Sequence, residues 1–295
     1  MTLTPNQWLG IPVALIAAVF LALGAQFQHR GVGRVEADTG EIDTSPGLSP
    51  RQILLLLARP SWVIGSVMLG LAVLLQLTSL YLAPIIVVQP LGATALVITA
   101  VVNSRVSKVA LDGRSIRAIA FCVGGVGLFV TVAAFTAKSS PISAAQLGVI
   151  LAILGVITMG FSLAFAFLRD RFKAIAFILG AGVLYGFVAT LAKVVIDRAK
   201  TGDFEWLTVT CIVALLAAAI LGGYFVQNAY SSGPPDLVIA GLTVVDPLVA
   251  VTIGIVVLQE AAGAPWYAVI AYVAAAALAV YGVFQLAKYH PQARH

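Results

Sequence analysis

The stretch Pro235–Glu260 reads PDLVIAGLTVVDPLVAVTIGIVVLQE, and it is long and apolar enough to cross a bilayer as one helix. Asp246 lies at its centre and is followed directly by Pro247. A carboxylate at the middle of a bilayer costs about 2.5–3.5 kcal/mol on insertion scales. Because proline has no backbone N–H, the carbonyl of Thr243 loses its helical partner. Asp246 therefore has two interpretations, a functional group that faces an interior site or an acid that only helps helices to pack.

The rest of the chain has the composition of a membrane protein. Of 295 residues 61% are hydrophobic and 10% are charged, with a mean hydropathy of +1.04. Soluble domains carry about 25% charged residues. The net charge of +5 comes from basic residues between apolar segments, which predicts contact with the bilayer and no nucleic-acid partner. We therefore expect an all-α polytopic membrane protein.

Hydropathy predicts nine membrane spans and their orientation. Of the 17 Lys and Arg residues in the chain, 13 fall on one side of the predicted membrane and 4 on the other. The positive-inside rule then places the N-terminus outside and the C-terminus in the cytoplasm, as expected of a plasma (inner) membrane protein. The predicted spans are 8–28, 60–82, 84–104, 115–136, 144–168, 174–196, 205–229, 235–259 and 265–287.

Two halves of the chain match at a shift of 151 residues. Gln76 then falls on Gln227, and Pro84 falls on Pro235. Matching spans lie five apart, so they cross in opposite directions, which is the pattern of an inverted repeat. This predicts a first half of four spans over 1–136 and a second half of five spans over 137–295. The polar segment 29–59 is predicted to be a flexible cytoplasmic loop, because acids, Gly and Pro crowd it.

Paired spans that are interrupted by Gly or Pro in both halves mark the binding site of many secondary transporters. Here they are the third span, interrupted at Pro90, and the eighth, interrupted at Pro247, and both prolines are predicted hinges. Asp246 is also a tentative metal ligand, with Mg²⁺ or H⁺ as the transported or coupling ion and no resident cofactor. No motif of an enzyme active site is present, so we expect no enzymatic activity. The predicted cavity residues are Asp246, Thr243, Gln89, Gln76, Gln227, Asn228, Gln26 and Tyr224.

Two motifs and the span plan resemble a known family. The motifs are LGAQFQHRG at 23–31 and YLAPIIVVQPLGA at 81–93, and the eighth span has an acidic end at Gln259–Glu260. Together with the four-plus-five plan, they resemble the NIPA-like branch of the drug/metabolite transporter superfamily, a branch of magnesium transporters. The resemblance implies alternating access between two inverted halves, with divalent cations as substrates.

The sequence leaves three functions open. The first is a secondary transporter that moves a small solute or a divalent cation such as magnesium through a central cavity. The second is an exporter or flippase of an organic or lipid-linked metabolite. The third is a structural membrane subunit that transports nothing. A neutral cavity lined by glutamine and aromatic residues would favour an organic solute over a divalent cation.

Overall fold

The computed structural model describes residues 4–39, 57–107, 112–138, 141–168, 174–202, 205–232 and 235–289. Within these ranges the chain is almost entirely helical, because a long apolar run in lipid satisfies its backbone groups best as a helix. The helices are α1 (Pro5–Trp8), α2 (Gly10–Thr39), α3 (Pro60–Leu82), α4 (Ile85–Leu91), α5 (Thr94–Ser107), α6 (Gly113–Thr136), α7 (Ala144–Leu168), α8 (Ala174–Thr201), α9 (Trp206–Ser232), α10 (Pro235–Val256) and α11 (Trp266–Tyr289).

The described part of the chain contains nine segments that are long and apolar enough to span a membrane, so the predicted fold class of an all-α polytopic membrane protein is confirmed. The first span is formed by α1 and the start of α2, and the third by α4 with α5. The eighth span ends at Val256, before the predicted end at residue 259, and the chain turns back toward the bundle there.

The long helix of the first span, α2, extends further than the sequence predicts. Helix α2 continues to Thr39, so the prediction of a flexible loop over 29–59 is wrong for the backbone of 29–39. No proline occurs between Pro12 and Pro46, so nothing removes a helical N–H in this segment. Residues 40–56 of the predicted loop lie outside the described ranges.

The third span is broken. Helix α4 ends at Leu91, and the chain turns through Gly92 and Ala93 before α5 begins at Thr94. A second break separates α3 from α4 at Ala83 and Pro84, which both have extended ψ angles. Because proline disfavours the helical conformation of the residue before it, Pro84 ends α3. Helix α4 is therefore a seven-residue segment held between two breaks.

Contacts between helices give their directions. Lys193, near the end of α8, reaches the carbonyl of Leu80 near the end of α3. The N–H of Lys138, just after α6, donates to the carbonyl of Glu260, just after α10. Helices α3, α6, α8 and α10 therefore end on one side of the bundle. We call this side the loop end, and define it by residues 83–84, 137–138 and 257–264.

The remaining pairs run the other way. Arg198 of α8 donates to Thr208 at the start of α9, so α9 runs away from the loop end. Tyr272 near the start of α11 bonds Thr136 at the end of α6, so α11 does the same. The second to fourth spans thus run opposite to the seventh to ninth, as an inverted repeat requires. Superposition of the two halves stays a prediction.

Glycines let the central helices approach closely. A methyl group on Gly182 would lie 2.6 Å from Cβ of Val245, and one on Gly186 would lie 2.7 Å from Cβ of Val249, so α8 packs directly on α10. A methyl group on Gly125 of α6 would overlap the backbone of Ala279 in α11. Such close packing replaces the hydrophobic effect, which does not drive association within a bilayer.

Candidate functional site

A cavity of about 60 Å³ lies between the α4–α5 break and helices α6, α10 and α11. Among the described residues that line it, Thr243 alone has a polar side-chain atom, and its hydroxyl already donates to the carbonyl of Ile239 over 2.7 Å. Water would find few partners there, so the lining suits an apolar group. The lining residues are Pro90, Ala93, Val126, Phe129, Thr243, Val244, Pro247, Leu248, Val251, Ala276, Ala279, Val280 and Val283.

Both predicted hinge prolines line this cavity. Pro90 belongs to α4 in the first half of the chain, and Pro247 belongs to α10 in the second half. Helix α10 continues through Pro247, where the carbonyl of Thr243 has no helical N–H to accept. Two weak points of the helical hydrogen-bond pattern, from spans that run in opposite directions, therefore meet at one place.

Asp246 lies on another face of α10 and is not among the residues that line the cavity. Its backbone packs on α8, where its carbonyl oxygen would lie 2.9 Å from a methyl group on Gly186. The Oδ1 atom is buried without a hydrogen-bond partner. The carboxylate is close enough to the phenol of Tyr185 to interact with it electrostatically. Asp246 is thus a half-buried acid of α10, with one buried carboxylate oxygen, at the contact with α8.

The other predicted cavity residues are scattered. Gln89 is buried in α4, whereas Gln26 and Gln76 are half-buried in α2 and α3. On α9, Tyr224 and Gln227 are exposed, and the side-chain amide of Asn228 donates to the carbonyl of Tyr224 over 2.7 Å. None of these residues lines the cavity. Of the predicted set, the structure brings Thr243, Pro90 and Pro247 together there.

A buried carboxylate that was not among the predicted site residues lies at the loop end. Glu260 is 4% exposed, and its Oε1 and Oε2 accept the N–H groups of Ile85 and Ile86 over 3.0 and 2.8 Å. These N–H groups open α4 and have no partner within the helix. Gln259 places Glu260 by adopting a φ of +55°, in the left-handed region, which turns the chain back toward α4.

A buried lysine serves the neighbouring helix end. The ammonium of Lys193 donates to the carbonyls of Leu80 and Ala83 over 2.7 and 3.1 Å and pairs with Asp197 over 3.2 Å. The C-terminus of a helix carries partial negative charge and the N-terminus partial positive charge. Lys193 therefore stabilises the end of α3, and Glu260 stabilises the start of α4. We call Lys193, Glu260 and the backbone of 80–86 that they bind the latch.

Hydropathy places Lys193 near the end of the predicted span 174–196 and does not indicate whether its side chain is buried. In the structure Lys193 is 3% exposed inside the bundle. The signal was present, since the predicted span 174–196 contains it, and a lysine within a span needs a buried partner. Its partners are main-chain carbonyls, which hydropathy does not reveal.

Burial raises the pKa of Glu260 from 4.5 to about 7, although the two N–H groups and the charge of Lys193 oppose this increase. Asp197 adds to the increase. Burial favours the neutral acid, whereas the latch favours the carboxylate. Together the two effects leave the pKa of the Glu260 carboxyl group at about 7.

Within the described ranges, no three His, Cys, Asp or Glu side chains form a group that could hold a metal ion. Mg²⁺ in proteins is usually held by one or two carboxylates together with several waters. Among the described residues Asp246 therefore belongs to no such group. The tentative metal site at Asp246 stays a prediction.

Comparison with known proteins gives a relative that matches most of the chain. The chain is 26% identical over 262 residues to an uncharacterized protein of Corynebacterium glutamicum, a match that covers 86% of each chain. No family model matches the chain, and no solved structure matches it. The resemblance to the NIPA-like branch therefore stays a prediction, while the nine apolar segments in the described part of the chain identify an integral membrane protein.

Proposed function

We propose that this integral membrane protein is a secondary transporter that moves a small organic solute with an apolar body by alternating access. The observation that carries the proposal is the cavity where Pro90 and Pro247 meet. Interrupted helices in matching spans of two inverted halves are the usual site of such carriers. The proposed orientation is that of the charge distribution, with the N-terminus outside and the C-terminus in the cytoplasm of a plasma membrane.

The lining favours an organic solute over a divalent cation. Mg²⁺ needs oxygen ligands, and the sole polar side chain of the lining is that of Thr243. An apolar group gains free energy from leaving water for such a lining. Transport of magnesium, which the resemblance implies, is the second candidate.

The test is transport by the purified protein in proteoliposomes, with and without a proton gradient. One arm follows magnesium with an internal dye, and the other follows a panel of radiolabelled small aliphatic and aromatic solutes. We expect uptake of at least one organic solute and no magnesium signal above that of empty vesicles. Magnesium uptake would favour the second candidate, and no uptake in either arm would favour a structural subunit.

Two neighbouring alanines of α11 provide a matched pair of variants. Ala276 lines the cavity and Ala277 is exposed on the outer face of the same helix. Ala276→Phe fills the cavity and should abolish uptake, whereas Ala277→Phe should retain it. Equal uptake by the two variants would place the transport path elsewhere.

A further inference from the structure

We propose that Glu260 is a proton-binding site that controls access to the cavity from the loop end. In the charged form Glu260 closes the latch with Lys193, and a proton on Glu260 opens it. The inference rests on the proposed function, because the latch would be the gate of that transporter. It adds a site that lies away from the cavity and from Asp246.

The first argument is where the latch lies. Glu260 binds the first residues of α4, and Pro90 near the other end of α4 lines the cavity. Five residues of α-helix separate Ile85 from Pro90, which is about 7.5 Å along the axis. Ile85 also packs on Gly254 of α10, one turn beyond Val251 of the lining. A shift of α4 therefore moves a wall of the cavity.

The second argument is that the latch joins the two halves of the chain across the breaks. Lys193 belongs to α8 and Glu260 follows α10, whereas the groups they bind belong to α3 and α4. Helices α8 and α10 pack on one another through Gly182 and Gly186. The two charges therefore sit on one packed unit, where Lys193 binds the end of α3 and Glu260 binds the start of α4. A carrier of two halves needs such a contact to break when it opens.

The third argument is the chemistry of the proton. Both oxygens of the carboxylate accept an N–H group, so neither has an unused position toward α4. A proton added to one oxygen makes that oxygen a weaker acceptor, because part of its acceptor capacity is taken by the O–H. The negative charge that stabilises the start of α4 also disappears on protonation. Protonation thus weakens the hydrogen bonds to α4 and removes the electrostatic contact together.

The charged and titratable groups around Glu260 are consistent with a proton-binding site. From α8, Lys193 and Asp197 act on it electrostatically, and from α11 the phenol of Tyr272 does so. From α10, Gly254 lies beside Oε2, where a methyl group would be 3.3 Å away. After α6, Lys138 donates its backbone N–H to the Glu260 carbonyl and keeps an exposed side chain. Lys193 is the one cation buried beside the carboxylate among these groups.

The test measures access to the cavity without any solute. A single cysteine at Val251 reports on the lining, in a chain whose own Cys122 and Cys211 are replaced by alanine. A charged, membrane-impermeant methanethiosulfonate is added to the outer face of intact cells at pH 8 and at pH 6. Labelling is divided by that of a second chain with its cysteine at the exposed Trp206, which corrects for the effect of pH on the thiol.

We expect the corrected labelling rate to rise about tenfold from pH 8 to pH 6, because a group with a pKa near 7 gains most of its protons over that range. Glu260→Gln should label fast at both pH values. Glu205→Gln is the matched control, since Glu205 is an exposed acid at the loop end, and it should keep the wild-type pH profile.

A corrected labelling rate that does not change with pH in the protein that keeps Glu260 overturns the proposal. A labelling rate that still depends on pH in Glu260→Gln overturns it as well. If Glu260→Gln does not reach the membrane, Lys193→Met removes the cation of the latch and should also label fast at pH 8. If labelling depends on pH but the protein transports nothing, the proposed role of Glu260 is retained and the proposed transporter function is refuted. Transport with labelling independent of pH would refute the gate alone.

Discussion

Pro90 and Pro247 line one cavity, although they belong to opposite halves of the chain and to helices that run in opposite directions. Each proline lies in a helix and removes one N–H from it. A helix that has already lost a hydrogen bond bends at lower cost. The place where the two halves face one another is thus also the place where each can bend.

The first prediction concerns Asp246. We expect Asp246→Asn to insert and fold like the wild type, because the amide keeps the shape of the side chain. A neutral amide cannot exchange a proton, so uptake driven by a proton gradient should fall to the level of empty vesicles. Uptake of the solute found in the transport assay, with and without the gradient, checks this. Wild-type rates with an unchanged pH profile would return Asp246 to a packing role.

The second prediction compares two adjacent glycines of α6. A methyl group on Gly125 would lie 2.8 Å from the carbonyl oxygen of Ala275 and would overlap the backbone of Ala279, whereas one on Gly124 would meet nothing within 4 Å. Overpacking costs about 1–3 kcal/mol or more when backbone must move. Gly125→Ala should therefore lower the unfolding temperature of the protein in detergent clearly below that of Gly124→Ala. Similar unfolding temperatures would mean that α6 and α11 pack less closely.

The third prediction compares two lysines of α8. Lys193→Met leaves the carbonyls of Leu80 and Ala83 without their donor and removes a buried charge, a loss of about 3–5 kcal/mol. Lys200 is partly exposed and contacts the carbonyl and ring of Tyr81, so Lys200→Met should cost about 1 kcal/mol or less. Thermal unfolding of both variants in detergent measures the difference. Equal stabilities would show that the carbonyls of the break find other partners.

The fourth prediction concerns topology. Because 13 of the 17 Lys and Arg residues lie on one side, we expect the C-terminus in the cytoplasm. A reporter enzyme that works in the cytoplasm should be active when it is fused after residue 295. A reporter enzyme that works only after export should be inactive at the same position. The opposite pair of results would reverse the orientation and place the loop end inside.

The sequence was sufficient to predict the fold class, because a helix that spans a bilayer must be apolar over its length and hydropathy measures this. Nine spans and their approximate ends follow from apolar length, and the paired prolines mark where the third and eighth spans meet. The same signal fails for Glu260 and Lys193. Both are charged residues near predicted span ends, where hydropathy expects water, and their partners are main-chain atoms of 80–86.

Asp246 shows the opposite failure. Its depth in an apolar span is plain in the sequence, and it was expected to face the cavity. Depth along a helix does not say which face a residue occupies, and the close packing at Gly182 and Gly186 turns Asp246 toward α8. The adjacent Pro247 faces the cavity instead.

The break at Ala83 and Pro84 also has a consequence for biosynthesis. Chains are made from the N-terminus, at about 5–20 residues per second. Helices α3 and α4 therefore enter the membrane well before Lys193 and Glu260 are translated, and the main-chain groups of the break lack their charged partners during that time. A ribosome that stalls ahead of Glu260 leaves the N–H groups of Ile85 and Ile86 unbonded. The first half of the protein can assemble fully only when the second half has been synthesised.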